Sequence, residues 1–246
     1  MVPKARNSEK TDDFHKMNLH IHTPFSDGTI SGDEIVRIAS ENGLHTLGIC
    51  DHFETTKVEN SVSLTNISEY TEEIENWNQN FNGKILKGLE IDSNPSRTDL
   101  ESLVQIPRTI DYLLFEYVGK AGFGGLALQS FLNLRRSLPH AVGLAHTRLS
   151  ETFRGIDPQK AASILGENHI FVEITGGERN KVLNVSGNER IHLFEADRIY
   201  FQAFRNSPVK LSIGTDCHHV PTEIWDIQPP LNFIAELDLW KNLIIP

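Results

Sequence analysis

Residues 18–28 read Asn-Leu-His-Ile-His-Thr-Pro-Phe-Ser-Asp-Gly, an apolar run that ends in a polar turn. The run is typical of a buried strand, and Pro24 ends it because proline cannot donate a ladder hydrogen bond. His20 and His22 stand two residues apart, so strand alternation places both imidazoles on one face. Asp27 follows in the turn, where its carboxylate can fold back toward them. Two imidazoles and a carboxylate favour zinc, manganese or iron over calcium or magnesium.

A histidine pair at this spacing is weak evidence by itself, because such pairs also occur as ordinary strand residues. The remaining apolar stretches therefore decide the interpretation. Six more of them are predicted strands, at residues 46–50, 84–91, 111–118, 141–145, 170–175 and 209–214. Helical patterns separate these stretches, and alternating strands and helices predict a parallel sheet. Seven such strands in 246 residues predict a closed barrel.

Capping signals mark several of the predicted helices. Ser31-Gly-Asp-Glu34 is a capping box, and Asp157-Pro158 combines a capping side chain with proline at the first helical position. Further helices are predicted over residues 67–81, after Thr98-Asp-Leu-Glu101, over residues 126–138, from Ser186-Gly-Asn-Glu189 to Pro208, and through residues 233–239. The last of these is predicted to close the fold.

Polar side chains follow most of the predicted strands at their C-terminal ends, which a closed barrel gathers on one rim. The set consists of His20, His22, Asp27, Asp51, His52, Glu90, His146, Asp216 and His218. Each of them alone would be unremarkable, but so many ligand types at one end predict a centre that binds several metal ions. Glu116 is a further carboxylate inside the fourth strand, and alternation predicts that it shares a face with Val118.

In this combination the chain resembles the polymerase and histidinol phosphatase (PHP) family of metal-dependent phosphoesterases. The resemblance covers residues 18–218 and rests on His-x-His with a following Asp, Asp-His, Gly-x-Glu-x-Asp, a lone His, and Gly-Thr-Asp-x-His. It implies a distorted seven-stranded (β/α)7 TIM-like barrel. Residues 1–16 are polar and mixed in charge, which predicts a flexible N-terminal extension before a single PHP-type domain of residues 17–246.

The resemblance also implies where metal ions bind. One ion is expected between His20, His22, Glu90 and Asp216, and a second between Asp27, His52 and His218. A third ion in the family uses Glu90, His146 and a histidine at the end of the fourth strand, where this chain has Val118. Two divalent ions are therefore predicted, with zinc, manganese or iron as candidates and the third site left open. Asn18 stands where the family usually has Asp, which is predicted to loosen the orientation of His20.

These features predict hydrolysis of a small phosphate monoester by a hydroxide that bridges the metal ions. Asp51 and His218 are candidate catalytic acids that protonate the leaving group. Candidate phosphate ligands are Arg148, Arg179 and Lys120, although each also fits an exposed loop cation without a role. A phosphodiesterase or exonuclease acting on nucleotides, and a non-catalytic sensor of metal or phosphorylated ligands, stay open as alternatives.

The composition of the chain indicates which binding partners and which cellular compartment to expect. The formal net charge of −10 disfavours a broad nucleic-acid-binding face, and no apolar run reaches the roughly 20 residues that cross a bilayer. Two cysteines, Cys50 and Cys217, without a spaced framework predict a reducing cytoplasm and disfavour a disulfide. The polar start of the chain does not resemble a secretory signal. The substrate, the native metal and the oligomeric state are left undetermined by the sequence.

Overall fold

A computed structural model describes residues 16–244 of the chain. The strands are β1 (Met17–Ile21), β2 (Thr46–His52), β3 (Lys84–Asp92), β4 (Tyr112–Glu116), β5 (Ala141–Leu144), β6 (Ile170–Thr175), β7 (Lys181–Leu183), β8 (Arg190–His192) and β9 (Leu211–Gly214). Strands β1 to β6 and β9 form one parallel sheet in chain order, while β7 and β8 pair separately as an antiparallel hairpin. The predicted seven-stranded α/β barrel is therefore confirmed.

The helices are α1 (Gly32–Glu41), α2 (Ile67–Asn80), α3 (Leu128–Arg135), α4 (Leu149–Thr152), α5 (Pro158–Glu167), α6 (Leu193–Ala196), α7 (Arg198–Phe204) and α8 (Gln228–Leu237). Ser31 Oγ accepts the amide of Glu34 at the start of α1. The Asp157 side chain accepts two amides of α5, whose first residue is proline. Both capping predictions are confirmed. Among the residues that the structure describes, every helix is too short or too polar to cross a bilayer.

The sheet closes where β1 approaches the segment after β9, and we call this contact the seam. A parallel bridge joins Ile21 to Cys217. The amide of His22 donates to the carbonyl of Cys217 at 2.9 Å, and the amide of Asp216 donates to the carbonyl of His20 at 3.0 Å. The backbone that closes the barrel is thus the same backbone that carries several predicted metal ligands.

Tyr112 fills the barrel interior below the polar rim. Its hydroxyl donates to the carbonyl of Leu19 at 2.6 Å. Gly48 and Gly88 leave room for its ring, since a Cβ atom at either position would collide with it. The Tyr112 side chain therefore fills the space between these strands below the rim.

One predicted helix begins later than predicted, and another is replaced by a 3-10 helix. Residues 186–189 form the turn of the β7–β8 hairpin, because Asn184 Oδ1 accepts the Ser186 hydroxyl and the Asn188 amide and so diverts these polar groups from helix capping. The helical segments α6 and α7 begin only after β8. After Thr98, the chain forms a 3-10 helix at Ser102–Gln105 whose first turn is closed by Asp99.

Other differences concern the ends of elements. Helix α3 spans Leu128–Arg135 rather than residues 126–138, and β4 stops at Glu116 because Tyr117 has a left-handed φ of 64°. The predicted N-terminal extension, residues 1–16, lies outside the described residues except for Lys16.

Candidate metal centre

The first implied ligand set converges on one point at the top of the barrel. His20 Nε2 and His22 Nε2 lie 3.0 Å apart. Asp216 Oδ1 lies 3.6 Å from His20 Nε2 and 3.4 Å from His22 Nε2, and the Glu90 oxygens lie 3.6 and 3.5 Å from the same two nitrogens. Ligands held tetrahedrally at about 2.0–2.1 Å from zinc stand roughly 3.3 Å from one another. The four side chains therefore have the spacing of a transition-metal site.

A second set gathers around Asp27. Its Oδ1 atom lies 3.3 Å from His218 Nε2, 3.8 Å from His52 Nε2 and 3.4 Å from His22 Nδ1. The carbonyl of Asp216 lies 2.8 Å from His218 Nδ1 and accepts its proton, which leaves His218 Nε2 as the atom that faces Asp27. The structure thus adds His22 to this set, a shared position that the sequence did not predict.

The chemistry of these groups fits divalent ions. Burial alone would raise the pKa of Glu90, but His52, His20 and His146 outweigh it and hold that pKa well below its ordinary value. The His52 Nδ1 atom is buried and makes no hydrogen bond to the described residues, although Glu90 Oε2 stands 3.0 Å away. A cation satisfies buried carboxylates and imidazole lone pairs together. The residues present therefore suit divalent metal ions.

Glu173 supports the first set from behind, a role that the sequence did not predict. Its Oε1 atom lies 2.9 Å from His20 Nδ1, while Oε2 accepts the Thr175 hydroxyl at 2.6 Å and the His146 amide at 2.9 Å. Gly214 makes this possible, because a Cβ atom there would collide with the Glu173 carboxylate. The available signal was a glutamate inside the otherwise apolar strand β6.

Asn18 contacts the backbone of His20 rather than its ring, since its Oδ1 atom accepts the His20 amide at 3.2 Å. Its amide nitrogen donates to Thr215 Oγ1 at 2.7 Å and to the Ile224 carbonyl at 2.8 Å, and its oxygen accepts the Thr215 amide at 3.1 Å. These bonds hold β1 to the segment after β9. An asparagine suits this position because it supplies donors as well as an acceptor, which aspartate cannot.

Asp51 was predicted to protonate the leaving group, but its carboxylate is committed to a neighbouring loop. It accepts the Thr23 amide at 2.8 Å, the Thr23 hydroxyl at 2.7 Å and the Ser26 hydroxyl at 2.5 Å. The side chain is fully buried and does not line the cavity above the centre. Its contacts instead shape the turn that carries Asp27.

A cavity of about 290 Å³ lies over the two ligand sets. Its lining is Asp27, His52, Lys57, Glu90, Glu116, Tyr117, Phe123, His146, Arg179, Asn180, Asp216 and His218. Of the three predicted phosphate ligands, the structure places Arg179 in this lining. Arg148 instead approaches the buried carboxylate of Asp197, with 3.5 Å between Nε and Oδ2, and Lys120 Nζ lies 5.9 Å from the centre of the Tyr117 ring. Lys57 and Asn180 were missed, because neither belongs to a local sequence pattern.

The region of the third implied ion differs from the predicted arrangement. His146 Nε2 lies 2.8 Å from Glu90 Oε1, as a shared ligand set requires. Val118 is fully buried and does not follow Glu116 on one face, because the left-handed Tyr117 interrupts the alternation. Burial and the charge of Glu90 raise the pKa of Glu116 to about 7, although Lys57 opposes them. The Glu116 carboxylate is bound by the Lys57 ammonium, at 2.7 and 2.8 Å.

A family model described as the PHP domain matches residues 18–115. The resemblance found in the sequence is therefore confirmed over these residues. Over 84 residues the chain is 34% identical to the DNA polymerase/3'-5' exonuclease PolX of Bacillus subtilis (strain 168). That match covers 34% of this chain and 15% of PolX, so the chain spans only a small part of this relative.

Solved structures share the fold over nearly the whole chain. The histidinol phosphate phosphatase of Lactococcus lactis, solved in complex with zinc, L-histidinol and phosphate, superimposes with a TM-score of 0.63 at 16% identity. The alignment covers 91% of this chain and 94% of that one. A chain in the structure of archaeal ribonuclease P with mature tRNA gives a TM-score of 0.51 at 11% identity, over 91% of this chain and 88% of that chain.

Proposed function

We propose that this protein is a metal-dependent phosphoesterase that hydrolyses a small phosphate monoester. The observation that carries the proposal is the pair of ligand sets that share His22 beneath one cavity with Arg179 at its wall. The shared barrel of a phosphatase solved with zinc and phosphate supports it. Divalent ions bound here would lower the pKa of water toward neutrality and offset the charge of a phosphoryl group.

The side chains around the cavity have separate tasks in this proposal. Arg179 offers a planar pair of donors to phosphate oxygens, and Asn180, whose amide nitrogen lies 3.4 Å from Asp216 Oδ2, helps to keep that carboxylate in place. His218 directs Nε2 at Asp27, so we assign it to the metal centre rather than to proton transfer. Asp51 positions the turn at residues 23–27. Water entering through the open side of the cavity then supplies the proton for the leaving alkoxide.

A nucleotide ester is a second candidate substrate, because the cavity wall carries an aromatic and cationic patch. Tyr117 and Phe123 stack with their ring centres 4.7 Å apart and an interplanar angle of 2°, and Phe123 is 54% exposed. The cations of Lys57, Arg97 and Lys120 lie 5.2 to 5.9 Å from the centre of the Tyr117 ring. Exposed aromatic rings beside cations stack nucleobases in single-strand-binding sites. This patch favours a small nucleotide over a long polymer, given the acidic chain.

The experiment measures metal content by elemental analysis together with phosphate release from p-nitrophenyl phosphate, bis-p-nitrophenyl phosphate and a 5'-nucleotide. We expect monoester hydrolysis that stops on chelation and returns with zinc or manganese. Asp216→Asn should reduce activity more than the roughly 10–100-fold that loss of an outer ligand contact costs. The exposed His45 lies in the loop that precedes β2, at the opposite end of the barrel, so His45→Ala is the matched control. Metal-loaded protein that hydrolyses none of the three esters would contradict the proposal, and preferential cleavage of the bis-ester would replace it with a diesterase.

A further inference from the structure

Lys57 and Glu116 form an ion pair in the cavity that the predicted metal sites do not explain. The Lys57 ammonium contacts both oxygens of Glu116, at 2.7 and 2.8 Å. The Glu116 side chain is fully buried, whereas a quarter of the Lys57 side chain is exposed. Both residues line the cavity above the metal centre. The pair is therefore reachable from the space in which a substrate would bind.

The same place has the donor atoms of a cation site. One ligand atom each from His52, Glu90 and Glu116 lie within 4.8 Å of one another. His146 Nε2 stands 2.8 Å from Glu90 Oε1, so a further nitrogen is at hand. A cluster with two buried carboxylates is unfavourable without a positive charge beside it. Lys57 supplies that charge from within the chain.

An ammonium differs from a metal ion because it offers hydrogen-bond donors to its neighbours. The Lys57 nitrogen has three N–H donors, and the two Glu116 oxygens engage two of them. The third donor lies near the Tyr117 hydroxyl and the cavity, where a phosphate oxygen of a substrate can accept it. Tyr117 holds the ammonium in place from the side, with its ring centre 5.2 Å away. The arrangement thus presents a fixed positive charge, with a donor that a ligand in the cavity can engage, next to the two ligand sets.

We propose that Lys57 is the third cation of this centre: its ammonium takes the place of a metal ion at Glu116 and donates to a phosphate oxygen of the substrate. The part that concerns phosphate rests on the proposed function, whereas the part that concerns metal content does not. Two consequences follow. The native protein binds two metal ions, and removal of the ammonium opens a third site while Glu116 is present.

The first test counts metal ions bound to metal-stripped protein after reloading with excess manganese and desalting, by elemental analysis. Wild-type protein should hold two ions, Lys57→Met should hold a third, and the double variant Lys57→Met/Glu116→Gln should return to two. Lys87→Met is the matched control, since Lys87 pairs with Glu75 at 2.7 Å on the outside of the barrel. Three ions in the wild type, or no additional ion in Lys57→Met, would overturn the proposal. Circular dichroism establishes that each variant is folded.

The second test measures the affinity of the manganese-loaded proteins for inorganic phosphate by calorimetry. Loss of one hydrogen bond from a charged donor weakens binding by roughly tenfold or more. We expect that loss in the double variant, and we expect excess manganese to restore phosphate binding in Lys57→Met but not in the double variant. Equal phosphate affinity in wild type and double variant would reduce Lys57 to a structural partner of Glu116. Wild-type protein that binds two ions but hydrolyses no ester would refute the proposed function alone.

Discussion

Glu173 Oε1 lies 2.9 Å from His20 Nδ1, and this contact determines which nitrogen of the imidazole faces the metal centre. A proton shared with the carboxylate stays on Nδ1, so the lone pair of Nε2 points at His22, Glu90 and Asp216. Such outer contacts fix the orientation of a ligand and raise its basicity. Metal affinity at the first set should therefore depend on a residue that would never touch the ion.

Replacement of Glu173 is expected to weaken metal binding. Glu173→Ala removes the acceptor for His20 Nδ1, and affinity for zinc should fall by about 10–100-fold in a competition with a chelating dye. Glu173→Gln keeps one oxygen acceptor and should lose less. Glu167→Gln, at the exposed C-terminal end of α5, is the control. Equal zinc affinity in Glu173→Ala and wild type would show that packing alone orients His20.

Asn18→Ala is expected to lower the free energy of unfolding of the metal-free protein. The substitution leaves the Thr215 amide and the Ile224 carbonyl without their side-chain partner inside a fully buried region. Each buried polar group left unpaired costs about 1–3 kcal/mol. Urea denaturation should show the loss, with the exposed Asn133→Ala as control. An unchanged midpoint would mean that the seam between β1 and β9 does not rely on Asn18.

Variants of Asp51 separate a positioning role from proton donation. Asp51→Asn retains an acceptor for the Thr23 amide but cannot supply a proton. In the positioning role it weakens metal binding through the turn that carries Asp27, while kcat at saturating metal and its pH profile stay close to those of the wild type. Measurement of kcat between pH 5 and 9, at metal concentrations that saturate both proteins, distinguishes the positioning role from proton donation. If the variant lacks the fall in kcat at high pH that the wild type shows, Asp51 is the acid that protonates the leaving group.

The two cysteines should be unreactive in the folded protein. Burial raises the pKa of the Cys217 thiol to about 12 and raises that of Cys50 well above its ordinary value. Both thiols therefore stay protonated between pH 7 and 9, and the thiolate is the reactive form. Ellman's reagent should label neither group in native protein and both after denaturation. Rapid labelling of native protein at pH 8 would show that the barrel opens near one of them.

Much of this centre could be predicted from the sequence, because the C-terminal ends of the strands of a barrel lie on the same rim. His20 and His22 follow the alternation of β1, and Asp216 and His218 follow β9, so the topology alone brings them to one rim. Regular strands transmit side-chain direction reliably over a few residues. The ligand sets implied by the family resemblance accordingly lie together in the structure.

The contacts that the sequence did not predict lie where the regular strand geometry ends. Tyr117 has a left-handed φ value, so alternation no longer describes which way the following side chain of Val118 points. Lys57 comes from a loop after β2 and reaches Glu116 through a long, flexible side chain, a contact that no periodic pattern encodes. The helix predicted from Ser186 starts too early, because the turn between β7 and β8 contains the same residue types as a capping box.

The seam between β1 and β9 turns the proposed metal ions into a cross-link between the two ends of the fold. His20 and His22 come from the first strand, while Asp216 and His218 follow the last. An ion held by both groups closes a loop that contains nearly the whole domain, much as a disulfide would. For a covalent link of that span, the restriction of the unfolded chain is worth on the order of 5 kcal/mol. Chelation should therefore loosen the barrel first at this seam, so metal supply would govern the lifetime of the fold as well as its chemistry.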